Sequence, residues 1–447
     1  MGERPAGERV RDFSEVDTGL SADEAVAEAE RCLQCRKPSC VKGCPVEIDI
    51  PAFIARIAEG DFAGAARVIK ENNLLPAICG RVCPQEIQCE GQCILGLRES
   101  PVRIGELERF VADHERKLGS RLPPKAEPTG KRVAVVGSGP AGLTAAAELA
   151  RLGHSVVLFE SLHEPGGVLM YGIPGFRLPK EVVRAEIDQL RGMGVTILTN
   201  HIVGTSVPVS ELLSYDAVFL GCGAGLPYFM GIPGENLNGV YSANEFLTRV
   251  NLMHADRFPE FDTPVRHAGR VVVVGGGNVA MDAARVARRL GARTTLVYRR
   301  RKEDLPARRV EIARAEEEGV TFVFCASPVR ILGDQCVTGV ECERMEMCAI
   351  DDSGRPEPVP VEGSRFVIDA DMCIQAIGQG PNPLLVRMLP GIGTGRKGNV
   401  IVDGEGRTDL GKVFAAGDVA TGAATVILAM GGAKRAARAI DRMLRGS

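Results

Sequence analysis

Eight of the fourteen cysteines lie between Cys32 and Cys93, in two runs whose spacing suits thiolate chemistry with a metal. The first run is Cys32, Cys35, Cys40 and Cys44 followed by Pro45; the second is Cys79, then Cys83 followed by Pro84, then Cys89 and Cys93. A proline after the last cysteine of a run, with that cysteine serving the neighbouring cluster, is the habit of two-cluster ferredoxins. The gaps here are wider than in ferredoxins, so the pattern points to two iron-sulfur clusters with ligands exchanged between the runs. Structural zinc and unligated thiols are the competing uses. Zinc usually takes two CxxC or Cys/His pairs, and only Cys32 with Cys35 makes one here. The other six cysteines are scattered. Cys222 is expected in packed core, and the six-residue spacing of Cys336, Cys342 and Cys348 fits no disulfide reductase pair.

Two glycine-rich turns carry a second chemistry. GSGPAG, Gly137 to Gly142, follows the strand RVAVV and opens a helix, and Glu160 ends the next strand. Gly137 makes the tight turn, Gly139 lets the backbone approach a pyrophosphate, Gly142 permits close helix packing, and Glu160 accepts from ribose hydroxyls. GGGNVA, Gly275 to Ala280, repeats the pattern through Gly275 and Gly277, but the acid is missing at the end of its second strand. Tyr298 is followed there by Arg299, Arg300 and Arg301. Guanidinium pairs with a 2'-phosphate that a carboxylate would repel, so this turn is expected to prefer NADP through Arg299 and Arg300. Arg288, Arg289, Arg308 and Arg309 are expected to be a solvated face. Near the C-terminus KVFAAGDVATGAATVILAM places Gly417 and Asp418 after a strand and a helix start near Ala423, a place where Asp418 reaches a polyhydroxyl chain and the helix end steadies a reduced flavin.

These groups need positioning elements. SADEAVAEAERC reads as a helix with Ser21 as N-cap and Glu24 three residues on. Helical periodicity continues from about Ile50 to Lys70 and from Ile104 to Lys117, which makes the first 120 residues helical around the cysteine loops. GSRLPPKAEPTG, Gly119 to Gly130, is a linker by its Pro and Gly content. Beyond it the two glycine turns sit in two βαβ units, an internal duplication of architecture.

Composition sets the frame. A chain of 447 residues suggests roughly three domains. A net charge of -3 argues against nucleic acid. The polar N-terminus MGERPAGERVRDF has no apolar h-region, and no run of about 18 apolar residues occurs, so no membrane span is expected and the protein is read as cytoplasmic. Reducing surroundings make a disulfide framework unexpected.

The strings CLQCRKPSCVKGCPVEIDIP, LPAICGRVCPQEIQCEGQCILG, GSGPAGLTAAAELA, GGVLMYGIPGFRLPK, GGGNVAMDAAR, VYRRRKEDLPAR and AAGDVATGAATVILAMGGAKRAA together resemble the small (β) subunit of glutamate synthase. Relatives of that family include the large subunit of NADH-dependent reduced ferredoxin:NADP oxidoreductase, and the N-terminal half of dihydropyrimidine dehydrogenase is similar too. The resemblance implies an α/β chain with an N-terminal all-helical iron-sulfur domain (1–120). Two Rossmann-like dinucleotide domains follow, one for FAD (128–250 and 375–447) with the NADPH domain (251–374) inserted in it. It implies two 4Fe-4S clusters, one on Cys32, Cys35, Cys40 and Cys93, the other on Cys44, Cys83 and Cys89 with a fourth ligand that is Glu108 or Cys79, Glu108 being favoured. It assigns cofactor contacts to Gly137, Gly139, Pro140, Ala141, Gly142 and Glu160, and to Gly167, Leu169, Gly172, Ile173 and Arg177. It further assigns Gly275, Gly277, Asn278, Val279, Asp282, Arg299 and Arg300, then Gly378, Gly417, Asp418, Ala424 and Thr425. Gly221 to Gly225 and Gln375 to Asn382 are expected as the crossovers between the two domains.

The reaction implied is hydride transfer between NADPH and FAD followed by single-electron relay to a partner. Such chemistry is positioning, with the nicotinamide about 3 to 3.5 Å from the flavin, so no catalytic acid or base is nominated. Position 2 is Gly2, so the amidotransferase nucleophile of a complete glutamate synthase is absent. The partner expected is therefore a large amidotransferase chain or, in a bifurcating oxidoreductase, a small flavin and 2Fe-2S chain. A non-catalytic assembly module with a structural flavin is the alternative from another class.

Overall fold

The computed structural model describes residues 2–266, 268–350 and 356–446. In the N-terminal part, Ser21 caps the helix Ala22–Glu30 by accepting from Glu24 N while the Glu24 carboxylate accepts from Ser21 N. The apolar stretch expected as one helix is two, Ile50–Ala58 and Phe62–Asn72. Gly60 between them takes a left-handed φ of +76°, and Asp61 then caps the second helix by accepting from Gly64 N. Ile50, Phe53, Ile54 and Ile57 share one face and bury against Ile69, Leu75, Ile78, Leu107 and Val111, the last two from the helix Ile104–Leu118. This core does not stop at the helical part. The same apolar body takes in Val133, Val135, Leu143, Leu158, Met430 and Ala433 of the first nucleotide domain. The segment 119–130 is pinned across the join, with Lys70 Nζ donating to Arg121 O at 3.0 Å, Ala126 N to Arg151 O at 2.8 Å and Thr129 N to Gly153 O at 3.0 Å.

Two parallel sheets follow, each of five strands; four strands share one order around the glycine-turn strand, but the fifth, at the edge, comes last in the chain in the first sheet and first in the second. The first runs Val413–Ala415, Ala217–Leu220, Arg132–Val136, Ser155–Phe159, Thr196–Leu198. The second runs Val240–Ser242, Met372–Gln375, Arg270–Val274, Arg293–Tyr298, Thr321–Phe324. Their β-branched runs are buried on both faces, which is what a parallel sheet covered by crossover helices requires. Strand Val240–Ser242 pairs with Met372–Gln375, so the second sheet and its first helix, Ala243–Asn251, begin ahead of position 251. An antiparallel group, Ala326–Gly333, Val337–Ile350, Pro356–Pro360 and Phe366–Asp369, extends from the second sheet. The chain passes between the sheets twice, and the two passages pair with each other as the antiparallel ladder Leu226–Pro227 with Gln379–Gly380.

Candidate flavin, nucleotide and cluster sites

At the carboxyl end of the first sheet, Gly137 has φ +92° and sits under Gly221, whose carbonyl would stand 2.6 Å from a Cβ there. A Cβ on Gly142 would stand 1.8 Å from Gly137 O, whereas one on Gly139 would meet nothing within 4 Å. The turn is thus closed by two glycines and open at the third, as an approach to a pyrophosphate requires. Pro140 and Ala141 begin the buried helix Pro140–Arg151. Glu160 is buried and accepts from Ser138 N at 2.9 Å, from Ser138 Oγ, from Leu162 N at 2.8 Å and from Ser161 Oγ at 3.1 Å. Ser138 also accepts from Gly166 N at 2.8 Å, which ties the fingerprint to the GGVLMYGIP loop. Nothing in the residue types singled it out, because it occupies a variable position of the motif.

That loop presents backbone. Leu169 and Ile173 are packed into the core, and the carbonyls of Leu169 and Ile173 accept from Lys180 Nζ, while those of Tyr171 and Gly172 accept from Asn251 Nδ2 at 3.1 and 3.2 Å. Burial pulls the Lys180 ammonium down to about 7. Gly167 has φ +54° and packs on Gly139, with its Cβ direction 2.8 Å from Gly139 Cα. From the C-terminal string, Gly417 lies over Ala141, Asp418 Oδ1 accepts from Ala424 N at 3.2 Å, and Thr425 caps the helix Val426–Arg445. Burial raises the Asp418 carboxyl. Gly378, φ +111°, accepts from Tyr228 N at 3.1 Å in the interdomain ladder. Cys222, expected in packed core, is exposed as a residue where it follows Gly221 beyond the strand end, yet burial of its thiol pushes it up to about 11.

In the second sheet, Gly275 has φ +142°, and Gly277 opens the helix Asn278–Arg289 with nothing within 4 Å of its Cβ direction. Val279 is part-exposed, and Asn278 Oδ1 accepts from Arg308 N at 3.0 Å. Arg299 is exposed at the end of Arg293–Tyr298, whereas Arg300 is buried and donates from Nε to Pro356 O at 2.8 Å. Arg177 and Asp282 face each other at 2.7 Å, buried, with Glu311 3.4 Å from Arg177 Nε. Their pairing joins the segment that follows the GGVLMYGIP loop to the helix Asn278–Arg289. Of the four arginines expected as a solvated face, Arg309 is exposed, whereas the other three are structural. Arg289 is buried against Glu318, Arg288 donates to Glu318 O and Ala292 O, and Arg308 donates to Arg81 O and Gln85 Oε1 of the cysteine region.

The cysteines fall into two groups of different burial. Cys32, Cys35, Cys40 and Cys93 line one cavity with Ile50, Ile54, Val102 and Ile104, and all four are partly exposed. Cys44, Cys79 and Cys83 are buried and, with Cys89, lie within electrostatic reach of Glu108. Cys93 of the second run stands in the first group, and Cys44 of the first run in the second. Burial pushes Cys40 and Cys44 up to about 11 and Cys89 well above its ordinary range. Such thiols ionise when a metal supplies the compensating charge. Among the described residues no three Cys, His or carboxylate groups converge tightly enough for a single metal ion. Four thiols around a cavity fit a cube better than zinc. Burial pushes the Glu108 carboxyl up to about 8, against the pull of a hydrogen bond from Asn73. Cys79 Sγ touches Met430 Sδ at 3.4 Å, so the inner group abuts the helix that starts at Thr425. Among the described residues no helix is long and apolar enough to cross a membrane.

Residues 9–120 match the family described as dihydropyrimidine dehydrogenase domain II, 4Fe-4S cluster, and residues 131–441 match the pyridine nucleotide-disulphide oxidoreductases. The NADPH glutamate synthase small chain of Halomonas elongata is 38% identical, over 96% of this chain and 92% of its own. The NADP(+)-dependent formate dehydrogenase subunit beta of Moorella thermoacetica is 39% identical, over 91% of this chain and 60% of its own. In fold, Mycobacterium tuberculosis FprA in complex with NADPH superposes with a TM-score of 0.60 at 23% identity, over 72% of this chain and 85% of that one. With a ferredoxin-like cysteine region ahead of two coupled dinucleotide folds, and with these similarities along almost its whole length, the chain belongs to the glutamate synthase small-chain family of NADPH-dependent flavin and iron-sulfur oxidoreductases.

Proposed function

We propose that the chain moves hydride between NADPH and FAD and relays single electrons through two 4Fe-4S clusters to a partner subunit in the cytoplasm, as a glutamate synthase small subunit. When bound, FAD and the clusters supply the conversion of a two-electron donor into one-electron steps. The residues do the positioning. Gly139 and Gly277 open the two turns to pyrophosphate, Arg299 offers a guanidinium where a 2'-phosphate would lie, and the Arg177–Asp282 pair holds the two nucleotide folds in register.

The observation that carries this reading is the graded burial of the two thiol groups. The inner group touches Met430 on the flavin-side helix, and the outer group is part-exposed beside Leu33 and Ile94, which are 58% and 44% exposed. An inner station next to the flavin fold and an outer station at the surface form a route from one to a partner. On this reading Cys32, Cys35, Cys40 and Cys93 hold the outer cluster, and Cys44, Cys83, Cys89 and Glu108 the inner one.

The test is anaerobic purification with iron, acid-labile sulfide and flavin assays, followed by rapid mixing with NADPH. Iron with sulfide, bound FAD and rapid flavin reduction by NADPH are expected; zinc without sulfide, or a flavin that NADPH leaves oxidised, overturns the proposal. The two relatives above are named as parts of different enzymes, so the partner is identified by co-purification. A large amidotransferase chain supports the glutamate synthase role, and a small flavin and 2Fe-2S chain supports a bifurcating ferredoxin:NADP oxidoreductase.

A further inference from the structure

The GGVLMYGIP loop holds a helix of a single turn, Val168–Tyr171. So short a helix leaves the carbonyls at its end without partners along the chain, and side chains from two different domains take them. Lys180 Nζ donates to Leu169 O at 2.9 Å and to Ile173 O, from the helix Lys180–Gly192 that follows the loop in the same domain. Asn251 Nδ2 donates to Tyr171 O at 3.1 Å and to Gly172 O at 3.2 Å. Asn251 ends the helix Ala243–Asn251, whose Phe246, Leu247 and Val250 bury in the apolar body of the second nucleotide domain. Leu169, Met170 and Ile173 of the loop bury instead in the body shared by the cysteine region and the first nucleotide domain. The loop is thus packed by one nucleotide domain and hydrogen-bonded by the other.

An amide suits this task. Its NH2 group carries two hydrogens, one for each carbonyl, and because both neighbours accept, the nitrogen end must face them. Asn251 is buried, so water stands in poorly for a lost amide. The segment it holds lies at the first glycine turn. Gly167, at the start of the loop, packs on Gly139, and the Tyr171 phenol is within electrostatic reach of Glu160 and Asp418. Those acids bracket the turn, since Glu160 accepts from Ser138 N and Gly417, next to Asp418, lies over Ala141.

Resting on the flavin reading given above, we infer that Asn251 is a positioning residue through which the second nucleotide domain sets the GGVLMYGIP loop against the flavin. The carbonyl dipoles of Tyr171 and Gly172 keep their direction only while the donor from the other domain keeps its place. The protein tunes a bound flavin through such dipoles and through the orientation of the groups around it.

The test uses the full chain, purified anaerobically. The readouts are the visible circular dichroism and midpoint potential of the bound flavin, the FAD dissociation constant, and the rate of flavin reduction at saturating NADPH. Iron content and NADP+ affinity report on the folding of the other two parts. Asn251→Asp keeps the shape of the side chain and turns two acceptors toward two carbonyls. It is expected to alter the flavin's circular dichroism, shift its midpoint potential and slow its reduction. It is also expected to weaken FAD binding about 10-fold, the worth of one to two ordinary hydrogen bonds. Iron content and NADP+ affinity are expected to stay at the parent's values. Should Asn251→Asp fail to fold, Asn251→Ala removes the donor without adding an acceptor and is expected to move the same readouts in the same direction. A folded variant with the parent's flavin dichroism and potential would overturn the inference, even if it melts at a lower temperature. A matching loss of NADP+ affinity would overturn it too, because the substitution would then have damaged the second domain. A parent chain that binds no FAD would instead remove the flavin reading itself.

Discussion

Replacing Glu318 by Gln keeps the shape of a buried hub and removes its charge. Glu318 accepts from Arg285 at 2.7 and 2.9 Å and from Arg289 at 2.7 and 3.2 Å, with Arg9 Nε at 3.6 Å, and the side chains of all four are 0–1% exposed. Arg285 and Arg289 in turn lie over the Phe176 ring at 4.6 and 3.7 Å, so the hub fixes the flavin loop, the nucleotide helix and the N-terminal segment together. Leaving guanidinium groups buried without their partner costs about 3 to 5 kcal/mol. A second route agrees. Burial alone would raise the Glu318 carboxyl, but the hydrogen bonds from Arg285 and Arg289 overcome it and hold it at about 2. A drop from the ordinary value near 4.3 to about 2 corresponds to about 3 kcal/mol. Because the folded value is the depressed one, this stability is present above about pH 4.3 and is lost as pH falls towards 2. Urea unfolding of the FAD-loaded chain should therefore show Glu318→Gln less stable by about 3 kcal/mol at pH 7, with the gap from the parent closing below pH 4. A deficit under about 1 kcal/mol at pH 7, or one that does not shrink in acid, would refute the reasoning.

Three further outcomes follow from the same geometry. Gly142→Ala drives a methyl to within 1.8 Å of Gly137 O and should lose both FAD and thermal stability, whereas Gly139→Ala has room and should melt like the parent while binding FAD more weakly; identical melting of the two would contradict this. Arg299→Ala should lower kcat/KM for NADPH about 10- to 100-fold, the worth of one charge-assisted contact, and leave NADH use unchanged. Arg300→Ala, which removes a bond to Pro356 O, should act on melting temperature and not on the NADPH to NADH ratio. For Lys180, the folded value of about 7 lies below the unfolded value near 10.4, so the folded chain gains stability as pH rises between them. Melting temperatures at pH 6.5 and 9.5 should differ in the parent and converge in Lys180→Met; an unchanged slope would show that Lys180 does not titrate in this window.

The sequence displays what is local. The capping box at Ser21, the two glycine turns and the cysteine runs depend on residues a few positions apart, and each forms where its pattern lies. What was hidden depends on partners far along the chain. Arg308 belongs to a basic run and looks like solvated surface until Gln85 and the Arg81 carbonyl are placed against it. Asn73, Ser138 and Lys180 are ordinary polar residues in sequence, and each meets its carboxylate, amide or carbonyl partner only once the fold buries the two together. The break at Gly60 was obscured because apolar residues continue in helical period on both sides of it.

The two joints of the molecule are built differently, and the difference matches what each must do. The cysteine region and the first nucleotide domain share one apolar body, in which Gly431 packs so closely that a Cβ there would stand 2.6 Å from Pro45 O, beside Cys44. Close packing of that kind resists displacement, which suits a one-electron path whose rate depends on fixed spacing. The second nucleotide domain, by contrast, takes Phe13, Val16 and Phe176 from outside itself into one apolar body and is also held by the paired crossovers and by the buried contacts of Arg177 with Asp282 and Glu311. Ion pairs specify an orientation without filling the joint. A rigid joint on the electron side and a polar one on the hydride side are what an enzyme needs when one substrate must exchange at every turnover and the other carriers stay in place.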